Sequence, residues 1–289
     1  MILLENDMLT VAINPKGAEL TSLFHKVHHI EYMWRGDPAF WGKHSPVLFP
    51  IVGSLKQNTY YYKGLSYTLP RHGFARDLQF SVEDKQGEMA VFVLESSPDT
   101  LEVFPFLFKF SIHYKLSGSS LCVTYAVENR STGEMFFSVG AHPAFAVPIV
   151  PGTAYHDYKL IFNLNETAGR WPISREGLIM ENSILLLRNQ SELPLSKELF
   201  SMDAIVLKQL ASSTVILGSD RTEHGLRFSF NGFPYLGLWA AKDADFVCIE
   251  PWCGIADSVT ASQELTEKEG INKLQGGELF SRSWQVDLW

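Results

Sequence analysis

Phe108-Lys109-Phe110-Ser111-Ile112-His113-Tyr114-Lys115-Leu116 alternates apolar and polar residues without a break, the period of a half-buried β-strand. Ser117-Gly118-Ser119-Ser120 supplies turn chemistry, and Leu121-Cys122-Val123-Thr124-Tyr125-Ala126-Val127 resumes extended character, so the two runs read as an antiparallel hairpin. Tyr60-Tyr61-Tyr62 and Leu65-Ser66-Tyr67-Thr68-Leu69 flank Lys63-Gly64 in the same way and predict a second hairpin. Further strands are expected at Leu9 to Ile13, Val91 to Leu94, Met135 to Val139, Tyr158 to Phe162, Thr214 to Leu217, Leu226 to Phe230, Tyr235 to Trp239 and Phe246 to Ile249. Helical periodicity is scarce, with single short turns at Pro98 to Val103 and Ser196 to Phe200. Many short strands without alternating helices predict an all-β sandwich or barrel and argue against a doubly wound nucleotide-binding fold. No linker, low-complexity tract or repeat interrupts the pattern, so residues 1–289 read as one domain.

Composition narrows the function. Apolar residues make up 46% and charged ones 19%, enough for a large core and too little charge for a disordered chain. Against 24 Lys and Arg stand 32 Asp and Glu, a formal charge of −8 that disfavours nucleic acid or an anionic membrane as partner. A neutral small molecule fits better. Met1-Ile2-Leu3-Leu4-Glu5 places an acid where a signal peptide carries bases, and no segment approaches a membrane span, so a cytoplasmic location is expected. The three cysteines, Cys122, Cys248 and Cys253, form no Cys-x-x-Cys pair and read as reduced thiols, with Cys248 and Cys253 divided between a strand and a loop.

Motifs for serine hydrolases, zincins and phosphate-binding loops are absent. Three polar segments in stiff, Gly- and Pro-rich contexts remain. Leu69-Pro70-Arg71-His72-Gly73-Phe74-Ala75-Arg76-Asp77 follows the second hairpin and is read either as a surface loop or as part of a site. In Ser138-Val139-Gly140-Ala141-His142-Pro143 a strand delivers a histidine whose backbone the proline biases towards extended, giving the ring a defined direction; a satisfied buried histidine is the alternative. In Phe246-Val247-Cys248-Ile249-Glu250-Pro251-Trp252 a carboxylate ends an apolar strand, which places it at a solvated rim or in a site able to raise its pKa. His28-His29 with Glu31 lacks partners at metal-binding spacing and reads as surface. Trp34, Asp37 and His44 line a cleft or decorate it, and the sequence does not separate the two.

Taken in order, these segments resemble the aldose 1-epimerase (galactose mutarotase-like) family. The resemblance also takes in Asn14-Pro15-Lys16-Gly17-Ala18-Glu19-Leu20, Pro46-Val47-Leu48-Phe49-Pro50-Ile51-Val52-Gly53, Phe104-Pro105-Phe106, Asp203-Ala204-Ile205, Gly232-Phe233-Pro234-Tyr235-Leu236-Gly237-Leu238-Trp239 and Ile249 to Asp257. It implies a large antiparallel β-sandwich with few short helices, an open cleft, no cofactor or metal, and a small-molecule sugar as substrate. It further implies that His142 protonates the ring oxygen and Glu250 takes the proton of the anomeric hydroxyl, with His72, Arg76 and Asp203 binding the sugar. One departure stands out. Many relatives have Gly-Arg where this chain has Gly53-Ser54, and Lys56 or Arg76 is the candidate to take over the arginine's contact. The same fold leaves two other functions open, a hexose 6-phosphate 1-epimerase reading phosphate through Lys56, Arg71 and Arg76, and a sugar-binding protein without turnover.

Overall fold

The computed structural model describes residues 1–289. The alternating stretch forms the strand Phe108–Ser117, with Phe108, Phe110, Ile112, Tyr114 and Leu116 buried. It pairs antiparallel with Ser120–Asn129, Leu116 opposite Leu121, and the two lie inside a nine-stranded sheet. On one side that sheet continues through Met89–Glu95 to Ser81–Gln86. On the other it runs through Leu279–Leu288, Leu226–Ser229, Thr214–Ser219 and Tyr158–Arg170 to Ile184–Pro194.

A five-stranded sheet faces it. The central strand, Phe246–Cys253, pairs with Tyr235–Trp239 on one edge, which in turn pairs with Ile205–Lys208. Along its other edge lie two short strands in succession, Val139–Gly140 and Ala144–Ala146. Phe145 packs against Phe228 of the large sheet at 5.8 Å between ring centroids, and Phe228 stacks on Trp284, so aromatic rings fill the space between layers. A four-stranded sheet of Ile2–Glu5, Leu9–Asn14, Glu19–His25 and Ile30–Glu31 is tied on by Trp34 N–H to the Ala144 carbonyl and by Tyr114 Oη–H to the Ala18 carbonyl. The fold is therefore a large antiparallel β-sandwich, with one α-helix at Pro98–Val103 capped by Ser97. No helix is long and apolar enough to cross a membrane.

Four expectations shift in detail. The strand expected at Met135 to Val139 divides at Ser138, whose N–H bonds the Pro50 carbonyl: Met135–Phe137 joins Asn272–Leu274 while Val139–Gly140 joins the central strand. Tyr158–Arg170 runs well beyond Phe162, because a register shift between Ile161 and Glu166 turns Asn163, Leu164 and Asn165 outward and breaks the alternation there. The stretch at Ser196 to Phe200 is a 3₁₀ turn, Lys197–Phe200. Most consequentially, Glu250 does not end its strand. Phe246–Cys253 continues through Pro251, which also puts Cys253 on the strand with Cys248 rather than on a loop, and both thiols are buried.

Candidate active site

His142 and Glu250 meet because of strand register. Gly140 pairs with Trp252 and Ala144 with Cys248, so His142, midway between Gly140 and Ala144, faces Glu250, midway between Cys248 and Trp252. Ala141 N–H to the Pro251 carbonyl and Ile249 N–H to the Pro143 carbonyl hold the segment between the two short strands down on either side. His142 Nε2 lies 3.3 Å from Glu250 Oε2, and the two side chains are 11% and 2% exposed. Gly237 stands opposite Glu250, and a Cβ there would run into the Trp252 indole, so a glycine is required for that ring to floor the site.

His72 reaches the same cavity from a turn. Its φ of +70 and the +72 of Gly73 are left-handed, and the turn is held to the Phe49-to-Gly53 stretch by His72 N–H to the Gly53 carbonyl at 2.8 Å. Gly53 N–H returns a bond to His72 Nδ1 at 3.1 Å. A neutral imidazole that accepts at Nδ1 carries its proton on Nε2, so His72 presents a donor. Arg71 Nε, 3.3 Å from that Nε2, is then a close neighbour of a protonated nitrogen rather than a true donor to it. The rings of His72 and His142 meet edge to face at 5.7 Å.

The cavity these residues share has a volume of about 360 Å³, and Arg76 and Asp203 also line it. Asp203 sits in a left-handed turn at φ +66, its Oδ1 accepting from Ala204 N–H and its carbonyl from buried Arg170. Arg76 donates to the Arg71 carbonyl and approaches Asp77 at 3.6 Å. Lys56 turns away, its Nζ on the Ala261 carbonyl, which corrects the expectation that it covers for the missing arginine. Arg71 fills that part of the cavity instead, and no carboxylate pairs with it. Ser54 is buried under Gly177, where a long side chain would displace the Ile173-to-Ile179 hairpin that forms one wall.

Sequence reasoning also missed Trp41, which stacks on His142 at 5.1 Å, while Trp239 meets the same imidazole edge-on at 5.7 Å. Trp41 comes from a loop with no periodic signal. Trp34, Asp37 and His44 lie outside the cavity: Trp34 is buried against Phe246, Asp37 pairs with Arg35, and His44 leans on Glu19.

Burial governs the protons. It holds the His142 imidazole down to about 3, with Arg71 and Arg76 reinforcing it, and keeps His72 well below its ordinary value. It pushes the Glu250 carboxyl well up, with Asp203 adding to the rise and Arg71 opposing it. At 3.3 Å the two groups are close enough to titrate as a unit and to hold a proton between them. Moving the proton from Oε2 to Nε2 exchanges acid and neutral imidazole for carboxylate and imidazolium without changing net charge.

The aldose 1-epimerase family model matches residues 1–270. Protein LacX, chromosomal, of Lactococcus lactis subsp. lactis is 33% identical over 297 residues, covering 99% of this chain and 98% of that protein. The structure of a galactose mutarotase related enzyme from Lactobacillus acidophilus is 34% identical with a TM-score of 0.94, over 100% of this chain and 97% of that one. A galactose mutarotase-like protein from Lactobacillus casei ATCC 334 is 31% identical with a TM-score of 0.93, over 100% of both chains.

Proposed function

The chain belongs to the aldose 1-epimerase family, and on that premise we propose that it interconverts the α and β anomers of a hexose through Glu250 and His142. The observation that carries this reading is the 3.3 Å contact between a buried imidazole and a buried carboxylate at the floor of a sugar-sized cavity. Glu250 as carboxylate takes the proton of the anomeric hydroxyl. The C1–O5 bond breaks, its electron pair goes to O5, and imidazolium His142 protonates that oxygen. The open-chain aldehyde turns about C1–C2 and recloses with the two roles reversed. Ring opening leaves protonated Glu250 and neutral His142, the arrangement burial favours, so desolvation pulls the first proton transfers forward.

The remaining lining takes up positioning roles in this reading. His72 Nε2–H donates to the ring oxygen, its tautomer set by Gly53 N–H. Asp203 and Arg76 hold hydroxyls, and Trp41 and Trp239 offer aromatic surface to the C–H faces of the sugar while fixing the plane of His142. We read residues 1–289 as one domain, since a single core cluster of 74 buried residues draws on both layers and the amino-terminal sheet. Nothing in the proposed cycle calls for a cofactor, and the location we propose is cytoplasmic.

A second reading has one specific support: Arg71 lies in the cavity without a carboxylate partner, beside Arg76, as a phosphate subsite requires. NMR exchange spectroscopy on glucose, galactose and their 6-phosphates tests both. Faster anomer exchange for the free sugars supports the first reading, and acceleration confined to the phosphates selects the second. Tight sugar binding with no acceleration of any would leave a binding protein and remove the acid–base proposal.

A further inference from the structure

Cys248 takes no part in the proposed cycle, yet it sits beside the two groups that carry it. Residues two apart on a strand share a face, so Cys248 and Glu250 point the same way from Phe246–Cys253, and His142 crosses opposite Glu250. One donor atom from each of the three lies within 4.8 Å of the other two, and all three residues are buried. We propose that Cys248, His142 and Glu250 form a binding site for a thiophilic divalent cation, zinc first among them, which excludes the sugar's reacting end and silences the acid–base pair.

Geometry supports a shared ion. Two bonds of about 2.0 Å at a tetrahedral angle place their donors about 3.3 Å apart, and His142 Nε2 to Glu250 Oε2 measures 3.3 Å. A zinc–sulfur bond of about 2.3 Å asks for a sulfur only slightly further away, inside the 4.8 Å within which the three donors gather. His142 Nδ1 is buried with no hydrogen-bond partner, so nothing there pulls the ring aside, and Trp41 and Trp239 hold its plane with Nε2 already facing Glu250. The fourth position opens on the cavity of about 360 Å³, where a water completes the shell.

Charge favours the same class of ligand. Thiolate, carboxylate and neutral imidazole around a dication give a complex of zero net charge, which a low-dielectric site tolerates far better than the two anions alone. A thiol, an imidazole and a single carboxylate select zinc, cobalt or cadmium over magnesium and calcium, which want oxygen donors. The ion displaces the thiol proton and the proton shared by His142 and Glu250, so affinity rises with pH. It also consumes the lone pairs that accept the sugar's proton, which makes it an inhibitor rather than a participant.

The test uses the full, reduced chain titrated with cobalt(II), then zinc(II). Cobalt is expected to give a near-ultraviolet thiolate charge-transfer band that zinc bleaches. Cys248→Ser keeps the size of the side chain and should abolish the band and weaken zinc binding at least about 100-fold; Glu250→Gln keeps the thiol and should retain the band at a cobalt midpoint raised at least about 10-fold. No band, a band unchanged in Cys248→Ser, or an unshifted midpoint in Glu250→Gln overturns the site. Cobalt binding without the band would mark as the binding place the clustered rings of His25, His28 and His224, with centroids 4.3 Å apart for His25 and His28 and 4.7 Å for His28 and His224, and so also overturns it. The spectra involve no sugar, so their failure is separate from failure of the anomer-exchange reading. Where exchange is measured, zinc should suppress it at the midpoint of the spectral titration, reversibly with a chelator.

Discussion

In the proposed cycle, Glu250 sets function against stability within a single residue. Its carboxyl is held above the ordinary value by burial, so between that value and its folded one the native state binds more protons than the unfolded chain. Stability from this group is complete below the ordinary carboxylate range and is lost as pH rises. Glu250→Gln is therefore expected to cut anomer exchange by about 10²–10⁴ while its melting temperature exceeds that of the unchanged chain, by a margin that widens from pH 5 to pH 8. Scanning calorimetry across that range checks the margin, and a variant less stable than the parent at pH 8 would contradict it. His72 has the opposite sense. Its folded pKa is depressed, so its contribution is present above the ordinary histidine value and lost as pH falls below it. His72→Asn should flatten the decline in stability on the acid side of pH 6.5, and should lower anomer exchange less than His142→Asn does.

At the scale of elements, the site depends on close approaches that only particular strands and turns permit. Gly237 leaves room for the Trp252 ring, and Gly237→Ala forces that ring or the strand to move. A cost of about 1–3 kcal/mol is expected, read from the urea midpoint, with a rise in sugar KM as the cavity floor shifts. Ala256, which lines the cavity, belongs to a segment fixed by Asp257. That carboxylate accepts from Lys56 N–H at 2.9 Å and from Lys268 Nζ at 2.6 Å, with both ionic side chains 3% exposed. Burial pulls the Lys268 pKa down while Asp257 supports it. Lys268→Met leaves Asp257 buried without its cation, and a loss of about 3–5 kcal/mol is expected in equilibrium unfolding. How much of each element the sequence revealed follows from burial. Phe108–Ser117 has one wet face and one dry face, so its alternation was plain. Ile184–Pro194 is largely exposed, and Ile205–Lys208 is a short, almost wholly buried run, so neither carries a period to detect.

For the molecule as a whole, the polar segments at residues 72, 142, 203 and 250 converge on one cavity although they are scattered along the chain. The residue types and stiff contexts at 72, 142 and 250 could be read in advance, whereas Asp203 came only through the family resemblance. Trp41 and the Ile173-to-Ile179 wall could not, because loop positions leave no trace in hydrophobic patterning. That contrast matters for how such a protein changes over time. The spacing of imidazole and carboxylate is written into the ladder along Phe246–Cys253, where a slip of one residue would reverse every side chain. In the proposed function, the surfaces that greet the rest of the sugar hang from connections outside that ladder, at Arg71, Gly177 and Asp203, all of which line the cavity. Appetite for one carbohydrate or another can thus drift by lengthening or recolouring those connections, while the reacting atoms inherit an unaltered geometry.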